Sequence, residues 1–358
     1  MSALPDADSA LDDLEADIAS EVSTRRYYQL RAMTKRLAAE VKELNGELDQ
    51  ASKQIAVLES LREKPPKTKV MRPRKRKRGG KPPASFVALA SDWHTCEIVT
   101  PSQTNGLNEH NQEIGTERAW AWAEGVKALC QREQETRDIE TFVLWLGGDF
   151  SVHDGLHYKS ERAVLLSPHE EARFIRDLLA QIITYLRAEL NVPRIVIPTS
   201  FGNHDRSTER MIPGHAGEYS FIQDVYRDLE SWFAATDESI SFQIAESDWD
   251  VLDVHGYRLL FHHGHYVGYG AGLAGLAHPL RKTMAKKITD LPHDTLCIGH
   301  YHQQGFHHGG KAITNGSLVG ANGYSTSRGF PSEPPAQVAF LIDHEVQAIS
   351  NYFLVWGT

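Results

Sequence analysis

The sequence predicts an α/β fold, a mixed sheet or two packed sheets flanked by helices, with a separate helical segment in front. Three observations point there. From Ser85 to about residue 200, short runs of branched apolar residues alternate with longer amphipathic stretches. Paired runs separated by tight turns follow. Five of the apolar runs end in Asp, Asn or His, and in α/β folds ligands gather outside the carboxyl ends of strands.

The chain has 358 residues, 41% of them hydrophobic, which accommodates one large domain and an appendage. No window approaches the roughly 20 apolar residues that cross a bilayer, so a membrane protein is not expected. The first residues lack the basic-then-apolar form of a signal peptide. Three cysteines (Cys96, Cys130, Cys297) without metal-type spacing suit a reducing, cytoplasmic setting. All 18 histidines lie beyond residue 90. The net charge is −9, yet residues 64–81 hold ten Lys/Arg and no acid, leaving the remainder at −19.

Residues 1–63 read as a helical segment. Leu37, Val41, Leu44, Leu48, Ala51, Ile55 and Leu58 step alternately by four and three, a heptad seam of about three repeats. It predicts a coiled coil that makes the chain a homo-oligomer through residues 30–60. An amphipathic helix packed on its own domain would show the same pattern. Residues 64–84 form a basic linker with Pro and Gly at both ends. Its charges fit a sequence-blind, salt-sensitive tether to phosphate backbones, a nuclear localisation signal, or a solvated spacer.

Residues 85–358 carry the main domain. Phe86–Ala90 is a strand ending at Asp92 and His94. Residues 116–133 form a helix with Thr116 as its N-cap. Thr141–Leu146 is a strand ending at Asp149. Pro168–Leu190 is a helix capped by Ser167, with proline in its first turn. Ile195–Pro198 is a strand ending in Gly202-Asn203-His204-Asp205, where Gly202 permits a sharp turn. Trp249–His255 and Tyr257–Phe261 form a hairpin ending in His262-His263-Gly264-His265. Thr295–Ile298 leads to His300 and His302, and the segments Ala312–Ser317 and Val338–Ile342 close the domain.

Just past a strand, residues i and i+2 can face one pocket, so Asp-x-His and His-x-His are informative here. Two carboxylates, an amide and four imidazoles suit two divalent ions of intermediate hardness: Mn foremost, with Fe, Zn or Ni possible, rather than Mg or Ca. Such a pair, about 3.5–4 Å apart, can clamp phosphate oxygens and activate water. The leaving alkoxide then needs a proton, which His204 is placed to supply.

These residues together resemble the calcineurin-like metallophosphoesterases over roughly residues 86–345. The resemblance implies a four-layer α/β/β/α sandwich with a dinuclear metal centre. It implies that Asp92, His94 and His302 hold the first metal, that Asp149 bridges, and that Asn203, His263 and His300 hold the second. His204 is similar to the family's general acid, with Asp205 holding its imidazole. His265 competes with His263 for one ligand position; the His-Gly pattern favours His263. Where the family often has an acid or asparagine, three positions past the bridging aspartate, this chain has Val152. That makes His153 and Asp154 candidates for substrate contact, and Arg206 is a third.

The metal motifs do not separate the family's substrates. The basic linker and the heptads favour a polymeric polyanion. A Mn-dependent nuclease acting on DNA is therefore expected, bound through residues 64–81 and the metal cleft, with chemistry similar to SbcD-type repair nucleases. Those begin with the metal domain, and this chain does not. The alternatives are a phosphomonoesterase or protein phosphatase with a basic docking arm, and a non-catalytic nucleic-acid-binding scaffold.

Overall fold

The computed structural model describes residues 80–152, 166–269, 275–330 and 333–358, and six separate positions between 33 and 46. Contacts divide the chain into two units at Lys67/Thr68. In the first unit Met33, Leu37, Val41, Lys42, Leu44 and Gly46 are helical and exposed. The rest of the expected coiled coil, and the basic run 64–79, lie outside the described residues.

The second unit is built on two sheets. In the first, β1 (Pro83–Ala90), β2 (Asp138–Leu146), β3 (Ile195–Pro198) and β4 (Ile240–Gln243) run parallel. β10 (Ala336–Asp343) pairs antiparallel with β1, and β11 (Ala348–Trp356) antiparallel with β10. The order is β11-β10-β1-β2-β3-β4. The second sheet has the order β5-β6-β7-β9-β8, from β5 (Asp250–Val254), β6 (Tyr257–His262), β7 (Thr295–Ile298), β8 (Gly305–His307) and β9 (Ala312–Thr314). β1 is buried at every position, which is why it reads as one continuous apolar run rather than an alternation.

The two faces of each strand go to different cores. Val87, Leu89, Val143 and Trp145 meet Leu252, Leu259, Phe261, Cys297 and Ile313 between the sheets. Phe86, Ala88, Phe142 and Leu144 face outward, beneath Trp122 of α1 (Gln112–Gln134), Ile175 and Leu179 of α2 (Pro168–Glu189), and Tyr226 of α3 (Ile222–Thr236). On the far side Leu260, Leu296 and Ile298 are covered by Leu276 and by Leu280 of α4 (Ala277–Lys287). A short α5 (Gly323–Arg328) completes the set. The result is four layers, α/β/β/α.

Helix α1 starts four residues before the expected position. Asn111 is its N-cap, accepting from Ile114 N at 2.9 Å, while the Thr116 hydroxyl lies inside the helix and donates to Gln112 O at 2.7 Å. Helix α2 has Ser167 as its cap, in a reciprocal box with Glu170. No helix among the described residues is long and apolar enough to cross a membrane.

Candidate metal centre

The parallel pairings within each sheet bring the ends of β1, β2, β3, β6 and β7 to one edge of the sandwich. Asp92 and His94 follow β1, Asp149 follows β2, Asn203 and His204 follow β3, His263 follows β6, and His300 and His302 follow β7. Backbone bonds join the first two loops: Asp92 N donates to Gly148 O at 3.0 Å and His94 N to Asp149 O at 3.1 Å. Two more bonds join the sheets. His263 Nδ1 donates to Gly147 O at 2.7 Å, and His300 N donates to Asp92 Oδ1 at 2.9 Å.

Turning that sharply puts the candidate ligand residues themselves in left-handed backbone. The φ angles are 56° at Asp92, 43° at His94, 52° at Asp149, 71° at His300 and 54° at His302. Non-glycine residues adopt this region rarely, and clusters of such residues mark functional sites. Gly202 is not among the positive-φ glycines, contrary to the expectation that it makes the turn. Space is its reason: an added Cβ would overlap the Asp149 carboxylate, 2.5 Å from Cγ.

Side-chain ligand atoms of Asp92, His94 and His302 lie within 4.8 Å of one another, as do those of Asp149, His263 and His300. His94, Asp149 and His204 form a third such group. The His263 imidazole stands between the two carboxylates, with Nε2 3.0 Å from Asp149 Oδ2 and 3.8 Å from Asp92 Oδ1. Because its Nδ1–H is committed to a carbonyl, Nε2 is the nitrogen left to face a cation. His265 instead turns Nε2 to within 3.9 Å of Asp248 Oδ1. His302 Nε2 is 3.5 Å from Asp92 Oδ1.

Two divalent ions fit this donor set. His94 Nδ1 and Asn203 Oδ1 are buried without a hydrogen-bond partner. Electrostatics agree. Burial opposes a proton on His263, but Asp149 and Asp92 outweigh it and raise the imidazole to about 10, so a positive charge is wanted there. Burial, followed by neighbouring imidazoles, drives His94 well below its ordinary range. Burial, followed by His263, lowers His300 to about 3. Both are thus neutral and competent as ligands.

Two expectations need correction. Asp205 does not orient His204 as expected: His204 Nδ1 donates to Val152 O at 3.0 Å. Asp205 Oδ2 accepts from Gly202 N at 2.6 Å and Asp149 N at 3.1 Å, so this buried carboxylate ties the β2 and β3 loops together. Arg206, expected at the substrate, folds back onto the carbonyls of Asn203, Thr208 and Glu209 and braces its own loop. His153 and Asp154 lie outside the described residues.

Other supports went unread in the sequence because they are distant in it. Ser91 Oγ donates to Asp92 Oδ2 at 2.6 Å, and Asn315 Nδ2 donates to Ser91 Oγ at 3.0 Å. Gln337 Oε1 accepts from Asn315 Nδ2 at 2.8 Å and from Ser91 N at 2.9 Å. This buried chain fixes Asp92 from behind. In front, a cavity of about 540 Å³ opens over His94, Asn203, His204 and His302. Its walls add Tyr269, Tyr301, Tyr324 and Phe330, together with Glu97 and Glu333, but no Lys or Arg among the described residues.

No family model matches the chain, and no curated protein matches it. Solved structures do. An archaeal phosphodiesterase is 14% identical, over 75% of this chain and 99% of its own, with a TM-score of 0.35. Vacuolar protein sorting 29 from Cryptosporidium parvum is 13% identical over 76% and 96%, at 0.32. A predicted phosphoesterase from Streptococcus pneumoniae is 10% identical over 76% and 98%, at 0.30. In the ligand types, their order along the chain and the strand ends that present them, the chain resembles the calcineurin-like metallophosphoesterases.

Proposed function

We propose that the protein is a dinuclear-metal phosphodiesterase that cleaves nucleic acid, DNA in the first instance. The observation that carries this reading is the convergence of two Asp/His ligand groups with His204 beside them. Asp92, His94 and His302 would hold one ion, and Asn203, His263 and His300 the other, with Asp149 between them. Four imidazoles with oxygen donors fit Mn, and also Fe, Zn or Ni. Bound there, the ions would polarise phosphate oxygens and lower the pKa of water.

The chain's residues supply the rest. The Val152 carbonyl fixes the His204 ring through Nδ1–H, leaving Nε2 to protonate the departing oxygen. Tyr269, Tyr301, Tyr324 and Phe330 offer ring faces on which a base can stack. With no Lys or Arg among the described residues of the cavity wall, attraction of a polyanion would fall to residues 64–81. The heptad segment 30–60 would pair two copies and double that tether.

A wall without Lys or Arg among the described residues also fits a second reading, a phosphomonoesterase that admits one phosphate. A substrate panel with Mn2+ separates the two. Cleavage of single- or double-stranded DNA that is lost in Asn203→Ala supports the nuclease. Turnover confined to p-nitrophenyl phosphate supports the alternative.

A further inference from the structure

At the other end of the sandwich from the catalytic loops, three more ligand-type side chains meet. Glu140 lies near the start of β2, His255 is in the β5–β6 turn, and His344 follows β10. All three are buried, and one ligand atom from each lies within 4.8 Å of the others. Along β2 they are roughly 20 Å from the dinuclear centre, taking about 3.3 Å per residue.

The geometry is that of a held site rather than of a chance ion pair. The Nε2 of each imidazole meets a hydroxyl, His255 with Thr141 Oγ1 at 3.1 Å and His344 with Ser85 Oγ at 2.9 Å. Such an anchor on one ring nitrogen is what aims the other at a metal. Gln347 Nε2 bonds both backbones, donating to His255 O at 3.0 Å and His344 O at 2.9 Å, and so fixes the two turns relative to each other. His255 occupies left-handed backbone at φ 55°, a conformation glycine or asparagine fills more cheaply in a two-residue turn.

The spacing is telling. His344 Nδ1 lies 3.4 Å from Glu140 Oε2. A charge-assisted hydrogen bond would be ~2.7–2.9 Å. The edge of a tetrahedron with zinc bonds of ~2.0–2.1 Å is ~3.3–3.4 Å. Another trio, Asp248, His262 and His265 at the catalytic end of β6, lacks this character, because Gly264 N donates to His262 Nδ1 at 2.7 Å and leaves a proton on Nε2 of the neutral ring.

We propose that Glu140, His255 and His344 bind one divalent ion of the zinc type, which fastens the two sheets together. Glu140 and His344 come from the first sheet and His255 from the second, so the ion replaces a contact that neither sheet makes alone. Water would complete four coordination. Burial, followed by the adjacent His255, lowers His344 to about 4 and keeps it in the neutral, ligating form.

The test is independent of the catalytic reading. The full chain is stripped with chelator, loaded with Zn2+, desalted and analysed for metal. Glu140→Gln and His344→Gln should each hold one equivalent fewer than the unaltered protein, two against three where the catalytic centre takes a pair. In Asp149→Asn, whose catalytic centre is impaired, a tightly held equivalent should remain, and adding Glu140→Gln should remove it. Less than one equivalent in the unaltered chain would overturn the proposal even if every variant misfolds. So would equal zinc content in the unaltered chain and a folded Glu140→Gln. Cobalt loading gives a second reading: a four-coordinate visible spectrum that survives Asp149→Asn and vanishes with Glu140→Gln.

Discussion

Replacing Gly202 by alanine should perturb the candidate metal centre through a single methyl group. Gly202 is not in left-handed backbone, so alanine brings no backbone strain there. The methyl carbon would stand 2.5 Å from Asp149 Cγ and 2.8 Å from Asp149 N. Restoring an ordinary contact of about 3.4–4 Å moves the carboxylate by about 1 Å. The carboxylate cannot absorb this in place, because His204 N donates to Oδ1 at 2.8 Å and His263 Nε2 stands 3.0 Å from Oδ2. Metal sites tolerate about 0.2 Å in ligand distance, and a misplacement of about 1 Å costs on the order of 100-fold in rate. Gly202→Ala should therefore hold at most one equivalent of Mn2+ and hydrolyse bis-p-nitrophenyl phosphate at least about 100-fold more slowly. Its far-UV circular dichroism should be unchanged. Gly268→Ala, where an added Cβ meets nothing within 4 Å, is the control. Two equivalents and undiminished turnover in Gly202→Ala would refute the packing argument, and with it the bridging place given to Asp149.

His204→Ala should keep its metal and lose about 10²–10⁴-fold in DNA cleavage, with a smaller loss on p-nitrophenyl esters, whose leaving group needs no proton; loss of metal would remove the acid role. Gly299→Ala, whose methyl would overlap the Asp92 carboxylate and approach Ser91 Oγ to 2.5 Å, should lose metal as Gly202→Ala does, by the same elemental assay. Burial pushes Asp250 up to about 6, so the folded chain holds this proton more tightly than the unfolded one. Its contribution is then most favourable below about pH 4 and is lost as pH rises through about 6. Urea unfolding should show the stability of Asp250→Asn relative to the parent improving by roughly 1–3 kcal/mol between pH 4 and pH 8, and parallel curves would contradict this. Deleting residues 64–81 should weaken DNA binding and flatten its dependence on salt, measured by fluorescence anisotropy at several salt concentrations.

The convergence of the candidate ligands was legible because two constraints coincide in the sequence. Strands buried on both faces write themselves as unbroken apolar runs, and few residue types coordinate divalent ions, so Asp149 after Thr141–Leu146 stands out. What surrounds the ligands was not legible. That Asp205 binds the Asp149 amide, that Gln337 and Asn315 brace Asp92, and that Gly202 makes room for Asp149 all depend on which loop lies next to which. Arg206 shows the opposite hazard: a charge next to the motif looked functional, while unsatisfied carbonyls in its own loop had first claim on it. Helix α3 was legible and not predicted, since Ile222, Val225, Tyr226, Leu229 and Phe233 recur at helical spacing. β11 is half exposed, and Asn351 breaks its apolar run, so little marked it as a strand.

The left-handed backbone at five of the candidate ligand positions sets two selective pressures against each other. Each such residue costs on the order of 1 kcal/mol relative to glycine, and together they approach the net stability of a typical domain. A laboratory screen that rewarded heat resistance alone would therefore drift toward glycine at Asp92, His94 or His300, yielding sturdier proteins with an inert cleft. Libraries built on this scaffold need catalysis in the selection from the first round.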